Sequence, residues 1–116
     1  MKEFDGRTTD VEAPFLSGEW WKEGVKIVGV VSKVRSTEEF GRTYTLDLRE
    51  PVIVEGAEEE KVCMGNLTGF RMALEAMGLP NLILKDVVTV ECVGFKPAKQ
   101  EGYSARPNFH VHVVRP

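Results

Sequence analysis

The residues with the clearest chemical potential lie in the stretch Lys96-Pro-Ala-Lys-Gln-Glu-Gly-Tyr-Ser-Ala-Arg-Pro107. Lys96, Lys99 and Arg106 can neutralise phosphates, and Tyr103 offers a ring on which a base can stack, an interaction worth about 1–3 kcal/mol per base. The alternative is a solvated loop that is polar for no functional reason. A second group, Lys33, Arg35, Phe40, Arg42 and Arg49, clusters around the turn Ser36–Gly41 and the run that follows it. Phe40 in a turn is unusual, because an exposed aromatic forgoes burial. It is either a stacking residue or a ring folded back over neighbouring structure.

Other groupings carry less. Trp20–Trp21 can anchor a protein partner or pack an arm. Neighbours in an extended chain face opposite ways, so at least one of the two should pack. His110 and His112 share a strand face, and Cys63 and Cys92 would complete a two-Cys, two-His set. The close cysteine spacing of zinc sites is absent, so surface or interface histidines are expected and no metal. No phosphate-cradling glycine loop, nucleophile elbow or metalloprotease helix motif occurs, and no cofactor is implied. Asp47 and Glu91 read as polar-face strand residues. The expectation is a binding module and not an enzyme.

The elements that must position these residues follow from periodicity. Val25–Arg35 is dense in β-branched residues and reads as a strand, with Gly29 marking a bend or a close backbone approach. In Arg42–Arg49, Tyr44, Leu46 and Leu48 alternate with Thr43, Thr45, Asp47 and Arg49. That period of two assigns Tyr44 to the core and the threonines to an outer face. Pro51–Val54 extends or flanks this strand. Glu55–Glu60 reads as an exposed acidic turn, and Lys61–Met64 as a short third strand. Then the period changes: Leu67, Phe70, Leu74 and Met77 recur at helical spacing after Asn66, an expected N-cap, and before the stop Gly78–Pro80. Asp86–Phe95 and Asn108–Arg115 complete the set as strands.

Three strands, a helix and two strands leave sheet edges that closure into a barrel would remove. The fold expected is therefore all-β with one helix: a five-stranded OB-fold barrel, the helix between strands 3 and 4. Residues 1–23 form an N-terminal arm and 24–116 the OB-fold domain.

In this order, and in Phe40-Gly-Arg-Thr-Tyr-Thr-Leu-Asp-Leu48 and Leu84-Lys-Asp-Val-Val-Thr-Val-Glu-Cys-Val-Gly94, the chain resembles the OB-fold single-stranded nucleic-acid-binding proteins of small bacterial and bacteriophage type. The resemblance covers Gly24 to Arg115. It implies non-catalytic binding of single-stranded DNA, or RNA, through the loops joining strands 1–2 and 4–5. Bacterial members carry a flexible linker and an acidic tip after the last strand, whereas Val113-Val-Arg-Pro116 is strand-like here. A protein partner or a second copy held through Trp20 and Trp21 is the alternative.

Composition bounds these readings. The 116 residues suffice for one domain with a modest core. Two cysteines in apolar runs read as small buried hydrophobes of a reducing compartment, although a Cys63–Cys92 bridge is compatible with the count. No apolar segment is long enough to span a bilayer, and Met1–Glu12 lacks an export signal, so a cytoplasmic location is expected. The net charge of −3 opposes indiscriminate polyanion binding, but it is segregated. Residues 1–24 hold three cations and six acids, whereas 25–49 and 84–116 each hold five cations and three acids.

Overall fold

The computed structural model describes residues 3–4, 13–38, 41–65, 67–97 and 105–116. Strands β1 (Lys26–Thr37), β2 (Gly41–Val54) and β3 (Ala57–Met64) precede helix α1 (Thr68–Ala76), and β4 (Val87–Lys96) and β5 (Arg106–Val114) follow it. All five strands form one antiparallel sheet in the order β3-β2-β1-β4-β5. The expected element order is borne out. The sheet is not closed, because no ladder joins β3 to β5 among the described residues.

β1 serves both halves of the sheet. Gly29 pairs with Leu48 on one side and Val88 on the other, and Val30 with Asp47 and Val87. Beyond Val30 the strand leaves β4, and an irregularity between Val31 and Lys33 redirects it along β2 alone. A Cβ on Gly29 would sit 3.0 Å from the Asp47 carbonyl oxygen, so the close backbone approach expected of this glycine is present.

The acids of the expected Glu55–Glu60 turn are placed differently. Glu55 (φ 50) and Gly56 (φ 81) alone make the reversal. Two consecutive left-handed residues match strand twist in a two-residue hairpin, so pairing resumes at once. Val54 pairs with Ala57, Ile53 with Glu58 and Val52 with Glu59. β3 is therefore eight residues long, and β2 runs through Pro51 to fourteen.

One face of the sheet is packed. Ile27, Val31, Tyr44, Leu46, Val62, Met64, Val88, Val90 and Val111 are buried on it, as the alternation predicts. Phe70 and Leu74 of α1 cover that face; Met77 lies past the last helical turn and is 40% exposed. The N-cap is Leu67, with no side-chain cap, rather than the expected Asn66, which lies outside the described residues. Cys92 is buried and Cys63 only half-buried, and no disulfide joins them.

The segment before β1 belongs to this core. Leu16 is fully buried, its N–H donates to the Cys63 carbonyl at 2.9 Å, and the Cys63 N–H donates to the Pro14 carbonyl at 2.9 Å. These bonds cover part of the β3 edge, one of the ways edge strands are protected. Trp21 meets Phe109 edge-on at 4.8 Å, Phe109 meets Phe70 at 6.4 Å and Phe70 meets Tyr44 at 6.4 Å. A file of aromatic rings thus runs from the arm through β5 and α1 to β2.

α1 docks on β5 through Gly69. A Cβ there would collide with the Pro107 carbonyl oxygen and lie 3.4 Å from Phe109. Glycine to alanine inside a helix ordinarily stabilises by up to about 1 kcal/mol. At Gly69 the sign should reverse, with a loss of roughly 1–3 kcal/mol from overpacking against fixed backbone. Urea denaturation of Gly69→Ala reads this directly, and a variant as stable as the parent would contradict the docking.

Candidate nucleic-acid interface

The face of the sheet turned away from the core carries the polar alternates of β1 and β2. Lys33 pairs with Thr45 and Arg35 with Thr43, after the irregularity that follows Val31. Thr45 pairs in turn with Cys63. Because opposite residues in a ladder project to the same side, these side chains share one surface. Phe15 joins it from the arm through a parallel bridge to Cys63. Its ring is 47% exposed. It lies against Gly65, where a Cβ would come within 2.8 Å of the ring edge and 3.9 Å of the Thr43 methyl. Only glycine leaves that surface flat enough for the ring.

Of the acids near this surface Asp47 is engaged, while Glu50 beside Arg49 and Glu58–Glu60 beside Lys61 stand at its border. Asp47 pairs with Lys61 at 3.4 Å, and the Ser32 hydroxyl donates to its Oδ1 at 3.1 Å. Arg49 stands two residues farther along β2 and is exposed, in the interval where pairing with β3 is interrupted. Lys33, Arg35, Lys61 and Arg49 thus border a surface that carries Thr45 and one aromatic ring, while Thr43 on the same face is itself buried, contrary to its expected place on an outer polar face.

Other candidates lie elsewhere. Arg42 pairs with Ser36, one residue out of phase with Arg35 and Thr43, and turns toward the loop after α1. With the Asn81 amide oxygen oriented toward it, its Nη1 donates at 3.3 Å, while its Nε is enclosed without a partner. Lys96 and Arg106 pair with each other at the far end of the β4–β5 ladder. That ladder runs past Glu91, the partner of Lys26, whereas the β1–β2 hairpin runs on past Val31. The two connections therefore leave the sheet from opposite ends of β1. Phe40, Lys99 and Tyr103 lie outside the described residues.

The tryptophans are chiefly structural. Trp21 is 1% exposed, and Trp20, half-buried, packs edge-on against it at 4.9 Å and donates its indole N–H to the Ile53 carbonyl at 2.9 Å. His110 and His112 are exposed opposite Glu91 and Thr89. Among the described residues no group of three or more ligand-type side chains could hold a metal ion, and no helix is long and apolar enough to cross a membrane.

Arg115, one of the cations of the basic C-terminal segment, is committed to a carboxylate. Its Nε and Nη2 donate to the buried Asp86 at 2.9 and 3.0 Å, and the Ile83 N–H donates to the same carboxylate at 2.9 Å. The guanidinium hydrogen bonds hold the Asp86 carboxyl below its usual range, helped by the Ile83 N–H and opposed by burial. A charge spent in this way does not serve a phosphate.

Sequence reasoning missed Phe15 altogether. It sits between Pro14 and Leu16 in a segment without period, and only the contact with Gly65, fifty positions on in the chain, marks it. Comparison with known protein families, with curated proteins and with solved structures finds no match for this chain.

Proposed function

We propose that this protein is a non-catalytic, OB-type β-domain that binds single-stranded nucleic acid on the outer surface of β1, β2 and β3. The observation that carries this reading is the gathering of Phe15, Thr43, Thr45, Lys33 and Arg35 on one face, with Arg49 and Lys61 at its border. An exposed ring supplies a stacking platform, cations track the backbone, and the half-buried Thr45 hydroxyl bonds phosphate or sugar. In the OB arrangement the arm and α1 fill the gap between β3 and β5 that a closed barrel would pair directly. The two end connections then leave the sheet on opposite sides of the surface, so Lys96 and Arg106 extend the path instead of forming its centre.

Anisotropy titration of labelled oligothymidylate tests the reading. Phe15→Ala should weaken binding by roughly 5- to 150-fold, the equivalent of one stacked base. Lys33→Ala combined with Arg35→Ala should flatten the slope of log K against log salt by about 0.7 per cation. Binding no tighter than about 10⁻⁴ M at low salt would remove the proposal, and unchanged affinity in both variants would place the strand elsewhere.

A further inference from the structure

The arm, the start of α1 and the base of the β4–β5 connection line an open cleft of about 370 Å³. Glu19 and Arg106 both line it, with Ser17, Leu67, Thr68 and Pro107. Arg106 is half-buried, its Nε enclosed by protein without a hydrogen-bond partner, and among the described residues no ion pair joins Arg106 to Glu19. A cationic residue and an exposed acidic residue thus line one space without forming an ion pair. A phosphate suits the guanidinium but is repelled by the carboxylate. The cleft calls for a ligand with acceptors on one edge and donors on the next.

We propose that the cleft holds a guanine base of the bound strand, so that the domain prefers single strands containing guanine. Guanine presents the acceptors O6 and N7 to a guanidinium, the commonest specific arginine contact with a base. Its N1–H and N2–H₂ donors lie on the adjoining edge, where a carboxylate accepts both, and single-stranded bases expose that edge. Leu67 and Pro107 supply apolar walls for the ring faces. The cleft is also bordered at Thr68 and Gly69 by the first turn of α1, whose N–H groups no side chain caps. Adenine reverses the polarity: its N6–H₂ would meet Arg106 and its unprotonated N1 would meet Glu19. Ser17 is two residues from Phe15 along the arm, so one strand can stack on the ring and turn a base into the cleft.

This inference rests on the proposed interface, and one experiment separates the two. Labelled oligothymidylate on the order of ten nucleotides long is compared with the same oligomer carrying a single central dG, dA or dC, at fixed salt. The dG oligomer should bind about tenfold tighter or better, and the others no tighter than oligothymidylate. Arg106→Ala and Glu19→Gln should each bring the dG oligomer down to near the thymidylate level, with urea midpoints reporting that both variants remain folded. Equal binding of all four oligomers, a preference for dA or dC, or a guanine preference that survives both substitutions would overturn the assignment and leave the interface standing. Failure of every oligomer to bind would end both.

Discussion

Trp21→Ala is expected to cost about 3–5 kcal/mol of stability, the range for truncating a large buried aromatic. The indole is 1% exposed and stands edge-on to Trp20 at 4.9 Å and to Phe109 at 4.8 Å. Alanine would leave a cavity between the arm and β5 and remove the first ring of the aromatic file. Small domains hold only about 5–15 kcal/mol in all, so the variant should be unfolded at modest urea. Trp21→Phe is the informative companion. It keeps a ring against Phe109 and discards an indole N–H that has no partner, so it should cost well under half as much. Equilibrium urea curves followed by circular dichroism give both numbers. A loss below about 1 kcal/mol for the alanine variant would show that the arm is an appendage and not part of the core.

Asp86→Ala is the second large effect, about 2–4 kcal/mol at neutral pH. The carboxylate is fully buried, and its removal frees the Ile83 N–H and leaves Arg115 without its anchor. Hydrogen bonds to a charged group are worth more than neutral ones, and breaking a pair leaves the surviving member uncompensated. The effect carries a pH signature. Because the folded pKa of Asp86 lies below the unfolded value of about 3.9, the unfolded chain binds more protons between the two. The stability that ionised Asp86 supplies is therefore complete at neutral pH. It fades as the pH falls through about 4 toward the folded pKa. The gap in stability between the parent and Asp86→Asn should shrink on acidification over that interval. A gap that stays constant between pH 7 and pH 3 would mean that the pair adds nothing through ionisation.

The two parts of the molecule differ in how far local pattern could anticipate them. Tyr44, Leu46 and Leu48 alternate with Thr43, Thr45 and Asp47, and that alternation sorts the two faces of β2, although Thr43 on the outer face is buried and Leu48 on the inner one only half-buried. The helical recurrence of Phe70 and Leu74 is equally local, since both face the same way one turn apart. Glu58–Glu60 misled because acidic runs favour solvent, and an edge ladder satisfies that preference as well as a turn does. What decided was the left-handed pair at Glu55–Gly56, whose conformation sets the register of everything after it.

The interface divides along the same line. Lys33 and Arg35 could be picked out as cations beside a turn, and their common face with Thr43 and Thr45 follows once the hairpin is aligned. Arg42 could not be separated from them by type. A strand period that slips by one residue at the irregularity after Val31 turns Lys33 and Arg35 outward, whereas Arg42 keeps the parity of Tyr44 on β2 and faces inward.

Local sequence therefore determined the kinds of element, their order and the buried alternates, because backbone sterics and side-chain period act within a few residues of each other. Tertiary structure alone decided that Phe15 rests on Gly65, that Arg115 is held by Asp86, that Trp21 belongs to the core, and that the two end connections leave opposite ends of β1. Each of these joins residues brought together only by chain reversals, and no pattern within a short window encodes which distant partner a side chain will meet.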